Sequence, residues 1–383
     1  MRVGIVFGGR SGEHEVSLMS ARAVVAALDP AKYDVIGIGI TREGRWLLAG
    51  DPLGQLLQQA GARIEAGPGT RAVTFVPQPG EAAVLRLDDM GGQAGCGTER
   101  GAMEGAPLAP GAGARPDVIF PLVHGTHGED GSLQGLLDLA EIPYVGPGIL
   151  ASAVGMDKAV FKALMQAHGI PVSPWRLVTV RGRPGESADW LHPAGELGYP
   201  LFVKPANGGS SLGVTKVKSV AGLEAAIREA AEYDSRVLLE RAIAGRELEC
   251  AVLGNDDPEA SIAGEVIPGH EFYDYEDKYF DDKSRTEIPA RITPEQMSAV
   301  RELSVRAFRA IDGAGMARVD FFLDEATGEL FVNELNTIPG FTRISMYPKL
   351  WEASGIAFPV LLERLIFLAL ERSERLRQRK LSP

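Results

Sequence analysis

The segment ARVDFFLDEATGELFVNELN, Ala317 to Asn336, constrains this chain more than any other stretch of it. Alternating apolar and polar residues flank Ala326-Thr327-Gly328, and period-two alternation on both sides of a short glycine-bearing loop predicts a β-hairpin. A three-residue loop with Glu325 opposite Glu329 sets Asp320 opposite Glu334 and Arg318 opposite Asn336. Strand side chains alternate faces, so Arg318, Asp320, Glu334 and Asn336 share one side, while Val319, Phe321 and Leu335 share the other. Three oxygen-bearing side chains beside an arginine suit a hard divalent cation such as Mg2+, which usually shares its ligands with phosphates. The arginine would hold a neighbouring anion, and Pro339-Gly340 then turns the chain sharply.

A cation that bridges phosphates needs further phosphate ligands. KPANGGSSLG, Lys204 to Gly213, offers a Gly/Ser loop whose backbone N–H groups can cradle phosphate oxygens, with Lys204 as a point charge, although a plain hairpin would look much the same. No GxxxxGK[ST] or GxGxxG competes with it. In LLERAIAGREL, Glu240 and Glu247 bracket Ile243; taken alone they read as ordinary strand-end and loop acids. FYDYEDKYFDDKSR has neither helical nor strand period and is either an exposed connection or a lid. Near the start, GGRSGEHEVS follows an apolar run and places Glu13 at the entry of a helix, whose N-terminal N–H groups favour anions. HGTHGEDGSLQG holds His124 and His127 without a third ligand nearby, which favours a substrate-lining role for His124 over zinc.

The surrounding chain supports a multidomain α/β and α+β protein. With 383 residues and 45% hydrophobic content it can bury two or three cores. Its net charge of -12 argues against a nucleic-acid or anionic-membrane partner. Two isolated cysteines, Cys96 and Cys250, fit a reducing cytoplasm rather than a disulfide framework and read as structural or incidental. RVGIVFGG is too short and glycine-broken for a signal-peptide core and reads as a buried first strand. IAFPVLLERLIFLALERSE, interrupted by Pro359, Glu363 and Arg364, does not read as a membrane span. Apolar runs alternate with helical patterns through the first third, with a helix near Ser17 to Leu28, and this predicts a parallel sheet covered on both faces. Gly61 to Pro116, rich in Gly, Ala and Pro, reads as a mobile surface insertion. Thr293 to Gln296, TPEQ, is a capping box with proline at the first helical position, opening a helix through Ile311.

These motifs together resemble the D-alanine–D-alanine ligases of the ATP-grasp superfamily. GGRSGEHEVS, HGTHGEDGSLQG, MDK, VKPANGGSSLGV, LLERAIAGRELE, FYDYEDKY, ARVDFF and NELNTIPGFT stand in that family's order, and the resemblance covers the chain apart from the insertion. It implies an ATP-grasp fold with an N-terminal parallel α/β domain (1–146), a central subdomain (147–241), and a C-terminal subdomain (242–383) carrying the metal site and lid. It implies that two sheets grip ATP: Lys158, Lys204 and Lys278 on the phosphates, Glu240 and Ile243 on the adenine, Glu247 on the ribose. Asp320, Glu334 and Asn336 would hold two Mg2+ ions, with Mn2+ as a substitute.

The resemblance also implies the reaction. One D-alanine carboxylate attacks the γ-phosphate of ATP to give D-alanyl phosphate; the amine of a second D-alanine then displaces phosphate, for peptidoglycan precursor synthesis. Glu13 would bind the first ammonium, with His124 lining that subsite, and Glu13, Ser210 and Tyr279 would form a hydrogen-bond network. Arg318 and the backbone N–H of Gly340 would stabilise the oxyanion, and Ser345 and Met346 would bound the second carboxylate's pocket. Arg241 and Met346 depart from the lysine and leucine frequent in the family, which bears on nucleotide and second-site fit. The alternative is a D-alanine–D-lactate or another ATP-grasp carboxylate–amine ligase; Tyr279 favours the dipeptide. A cytoplasmic homodimer is implied.

Overall fold

A computed structural model describes residues 1–48, 71–75, 84–86, 115–181, 190–209, 211–267 and 285–380. The chain divides into two compact units, one of Met1–Gly146 with Gly340–Arg343 and Phe358–Pro383, the other of Pro147–Pro339 with Ile344–Ala357.

In the first unit a sheet is built from β1 (Arg2–Gly8), β2 (Asp34–Ile40), β3 (Trp46–Leu48), β4 (Arg71–Phe75), β5 (Val84–Arg86) and β6 (Val118–Leu122), in the order β5-β4-β3-β2-β1-β6. β1 pairs in parallel with both β2 and β6, as the continuous apolar runs predict; Val3, Ile5, Val6, Phe7, Val118, Ile119 and Phe120 are fully buried. Beyond β2 the pairing turns antiparallel. β4 and β5 lie inside the tract read as a surface insertion, so that reading is corrected for these residues: Val73 is buried on β4, which pairs with β3 and β5, and strands this short need few apolar residues to pair. The helix His14–Ala27 starts three residues before the expected Ser17 and buries Val16, Leu18, Ala21 and Val24. It ends at Leu28, whose backbone is extended, just before Asp29-Pro30. Ser17 ties this helix to two strand ends, its Oγ accepting from Gly8 N–H at 2.7 Å and donating to the Leu122 carbonyl.

The second unit holds two antiparallel sheets. β7 (Trp175–Thr179), β8 (Leu201–Pro205), β9 (Thr215–Val217) and β10 (Arg236–Arg241) form the first, in the order β7-β10-β8-β9. Its core of Leu201, Val203, Val237 and Leu239 is covered by Ala226, Ile227 and Ala230 of the helix Leu223–Ala231. β11 (Gly245–Gly254), β12 (Glu259–Ile267), β13 (Arg285–Glu287), β14 (Gly315–Asp324) and β15 (Leu330–Asn336) form the second, in the order β13-β12-β11-β14-β15. The helix Pro294–Ala310 packs Val300, Leu303, Ala307 and Phe308 into the core of this sheet. Its capping box is complete: Thr293 Oγ1 accepts from Gln296 N–H at 3.2 Å, and the Gln296 side chain accepts from Thr293 N–H at 3.0 Å.

The β14–β15 hairpin forms with one correction. Four residues, Glu325 to Gly328, make the loop, closed by Asp324 N–H donating to the Glu329 carbonyl at 2.9 Å, with Gly328 at φ 74°. Near the loop the register therefore differs from that expected, pairing Leu323 with Leu330. A bulge between Asp320 and Phe321 takes up the extra residue at Asn333 and restores the expected pairs, Asp320 with Glu334 and Arg318 with Asn336. Val319, Phe321, Val332 and Leu335 point into the core, each at most 2% exposed. Truncating a buried phenylalanine such as Phe321 to alanine costs about 3–5 kcal/mol, so burial of the apolar face holds the polar face in position.

Candidate active site

On the second unit the polar face of the hairpin is a connected set of charges. Arg318 donates from Nε and Nη2 to the two carboxylate oxygens of Asp320, each at 2.7 Å, and its Nε lies 3.1 Å from Oε2 of Glu249 on β11. Asn336 donates from Nδ2 to Asp320 Oδ2 at 2.9 Å. Burial by itself would lower the Arg318 pKa, but Asp320 and Glu249 outweigh it and hold it well above the usual range. Among the described residues no group of three or more His, Cys, Asp or Glu is set to hold a metal; in the hairpin the third oxygen donor is the Asn336 amide, and Arg318 occupies Asp320. The donor set still fits a hard divalent cation. Asp320, Glu334 and Asn336 offer oxygen ligands from adjacent positions on two paired strands, and Asp320 already receives positive charge.

A second charged cluster lies on β8 and β10. The Glu240 side chain is 2% exposed and sits between two lysines, with Oε1 2.6 Å from Lys162 Nζ and Oε2 2.7 Å from Lys204 Nζ. Ser173 Oγ donates to Glu240 Oε1 and accepts from Lys162 Nζ at 3.2 Å. Burial would raise the Glu240 carboxyl, but the two lysines dominate and hold it at about 2. Burial likewise works against the Lys204 ammonium, yet Glu240 keeps its pKa raised, with Glu334 and Glu247 adding to the negative field there. That shared field links Lys204 and Glu240 to Glu247 on β11 and Glu334 on β15. Ile243, half-buried, lies between β10 and β11.

Lys158 opens the helix Lys158–Ala167, which Asp157 caps by accepting from Ala159 and Val160 N–H groups. Its ammonium donates to the Gly208 carbonyl of the Gly/Ser loop at 2.6 Å, and among the described residues, its chain neighbours aside, no atom stands within 4 Å of where a Gly208 side chain would begin. Ser345 precedes the helix Met346–Ala353; Met346 is buried, with its Cε over Gly264 of β12.

On the first unit Glu13 ends the loop after β1. A side chain on Gly125 would meet Glu13 Oε2 at 2.9 Å, which puts this carboxylate against the His124-Gly125 turn. Ser11 fixes the approach by donating to the His124 carbonyl at 2.7 Å and accepting from Glu13 N–H at 3.3 Å. His124, 4% exposed, has Nε2 3.0 Å from Ser20 Oγ, and the same hydroxyl accepts from Phe341 N–H at 3.2 Å. Phe341 packs edge-on against Phe120 with ring centroids 5.5 Å apart. Gly340 is thereby held one residue from the His124–Ser20 contact.

Ser210, Lys278 and Tyr279 lie outside the described residues, as do Cys96 and most of the segment read as a lid. Lys162, Ser173 and Glu249 were not expected at a site. Lys162 carried a signal, because it falls with Ala159, Phe161 and Met165 on the buried stripe of its helix. Glu249 shares its strand face with Glu247, two residues away.

Family models for the D-ala D-ala ligase N-terminus and C-terminus match residues 2–147 and 164–367. A D-alanine--D-alanine ligase from Acetivibrio thermocellus is 45% identical over 372 residues, 97% of this chain and 96% of that one. Among solved structures, the D-alanine-D-alanine ligase from Coxiella burnetii is 35% identical with a TM-score of 0.81, covering 99% of this chain and 96% of that one. A D-Ala:D-Ser ligase from Enterococcus faecalis is also 35% identical, with a TM-score of 0.80, covering 96% of this chain and 99% of that one. The fold is accordingly ATP-grasp. The chain belongs to the D-alanine–D-alanine ligase family.

Proposed function

We infer that the chain joins two D-alanines at the expense of ATP and that the residues described above carry the steps. The reaction is that of the family: ATP and two D-alanines give D-alanyl-D-alanine, ADP and phosphate through D-alanyl phosphate. The observation that carries the residue reading is the hairpin face, where Arg318, Asp320, Glu334 and Asn336 stand together on a strand pair within the matched C-terminal family region.

Glu13 binds the ammonium of the first D-alanine, and His124, oriented by Ser20, lines that subsite. Lys158, Lys204 and Lys278 hold the nucleotide phosphates, Glu240 and Ile243 the adenine, and Glu247 the ribose. Two Mg2+ ions, replaceable by Mn2+, would be held by Asp320, Glu334 and Asn336 and would neutralise phosphate charge. Once the first carboxylate has taken the γ-phosphoryl group, its carbonyl carbon carries a good leaving group. The free amine of the second D-alanine attacks that carbon; Arg318 and the Gly340 N–H stabilise the oxyanion, and phosphate leaves as the carbonyl re-forms. Ser345 and Met346 bound the second carboxylate. Ser210 and Tyr279 complete the hydrogen-bond network of Glu13, and the segment from Phe272 to Arg285 excludes water from the acyl phosphate. We place the protein in the cytoplasm as a homodimer, with subdomain limits near 146 and 241.

The likeness to a D-Ala:D-Ser ligase makes the second substrate the point to test. Phosphate release from Mg-ATP is measured with D-alanine alone, with L-alanine, and with D-alanine plus D-serine or D-lactate, and the products are identified by mass. D-alanyl-D-alanine as the main product, with no turnover of L-alanine, is expected. A mixed dipeptide or an ester as the main product would overturn the reading of the second subsite.

A further inference from the structure

The hairpin face continues onto a third strand. β11 pairs with β14 so that Glu249 stands opposite Asp320, and β14 pairs with β15 so that Asp320 stands opposite Glu334. Three carboxylates thus lie in one row across the sheet, with Arg318 two residues along β14 on the same face. Glu249 and Arg318 are largely buried, their side chains 8% and 18% exposed. Among the described residues Arg318 is the cation closest to this row, paired with Asp320 and 3.1 Å from Glu249.

Arg318 commits Nε and Nη2 to Asp320, which is also a proposed cation ligand. A divalent ion on Asp320 would compete for the same oxygens and repel the guanidinium at short range. Glu249 gives the arginine a second anion. Its Oε2 is 3.1 Å from Arg318 Nε, and it lies on β11, on the opposite side of Asp320 from Glu334 and Asn336. The row therefore divides the work, with the β15 side supplying the cation's ligands and the β11 side anchoring the arginine.

We propose that Glu249 is a positioning residue for Arg318, holding the guanidinium in place while Asp320 turns to a divalent cation. This rests on the roles proposed above for Arg318 and Asp320. Without Glu249, Arg318 remains on Asp320 and competes with the ion, so the loss appears as weaker cation binding and slower turnover rather than weaker substrate binding.

The test uses the full chain with Glu249→Gln, which removes the charge at nearly constant shape, and Glu249→Asp, which keeps the charge but withdraws it by one methylene. Mn2+ affinity is read by electron paramagnetic resonance with a non-hydrolysable ATP analogue bound, alongside steady-state kinetics and urea unfolding. For neighbours coupled at the usual strength, Glu249→Gln weakens Mn2+ binding about tenfold and lowers kcat by a similar factor, with the D-alanine KM within about twofold and Glu249→Asp intermediate. In an Arg318→Met background the Glu249→Gln effect on Mn2+ disappears, because the competing cation is gone. Wild-type Mn2+ affinity and kcat in both Glu249 variants would overturn the proposal. So would an equal loss of Mn2+ affinity with and without Arg318, since Glu249 would then act on the ion directly. Full turnover by Arg318→Met would instead overturn the role given to Arg318 itself.

Discussion

The ammonium of Lys162 lies 2.6 Å from the Glu240 carboxylate, and the two side chains are 1% and 2% exposed. Lys162 sits one helical turn beyond Lys158, whose ammonium reaches the glycine-rich loop. Two lysines on one helix thus do different work: Lys158 meets the loop, while Lys162 neutralises a buried acid that also binds Lys204.

Replacing Lys162 with methionine is expected to destabilise the protein by about 2 kcal/mol. Breaking a buried pair usually costs about 3–5 kcal/mol, and Lys204 still compensates part of the Glu240 charge. Urea unfolding of the variant checks this, and an unchanged midpoint would contradict it.

The same cluster sets an acid limit. Glu240 is held at about 2 in the folded chain, against an ordinary value of 4.5. Its folded pKa is depressed, so its stabilisation is fully present above the ordinary value and is lost as pH falls from there through about 2. The urea-midpoint difference between wild type and Glu240→Gln should therefore be larger at about pH 6 than at about pH 3.

At the other end of the scale, Tyr144 is 1% exposed and its pKa is pushed up to about 12, chiefly by burial, with Asp138 adding and Arg372 opposing. The Arg372 guanidinium stacks 4.1 Å from the ring centroid. A raised folded pKa means stability present below the ordinary value of 10.0 and lost as pH climbs from there toward about 12. Tyr144→Phe should lose less stability than wild type over that span in alkaline urea titrations; parallel curves would count against it.

Arg318→Met is expected to lower kcat by about 10²–10³, the usual loss for one oxyanion donor, with the ATP KM changed less than about threefold. Steady-state phosphate release distinguishes this from a binding defect, in which KM would rise and kcat would hold.

Thr293→Ala removes the capping hydroxyl from the helix Pro294–Ala310 and should cost about 1 kcal/mol in urea unfolding. Because the cap touches none of the proposed site residues, kcat should stay at the wild-type value, and a large fall in turnover would show that this helix end bears on the site.

How much of this was legible follows from particular residues. The capping box, the parallel pairing of β1 and the facing of Asp320 with Glu334 were all readable, because each rests on a local pattern. The hairpin register near the loop was not: a four-residue loop and a bulge at Asn333 offset each other. The clue was that Val332 and Leu335, both buried, are three residues apart, which strict alternation forbids. Lys162 could have been found from its place on the buried stripe of its helix, whereas Glu249 gave no local sign of its role, because its partner Arg318 lies far away in sequence.

The division of the chain bears on how the protein is made. Gly340–Arg343 and Phe358–Pro383 belong with Met1–Gly146, so the unit that contains the N-terminal sheet lacks part of itself until the residues after Ala357 have been made. The second unit, complete once Ala357 has emerged, has all its residues earlier. Nascent chains stopped short of Phe358 should therefore bury the second unit's core while leaving the N-terminal sheet without the helix Phe358–Arg377, whose Leu361, Leu362, Leu365 and Ile366 are fully buried in the finished protein.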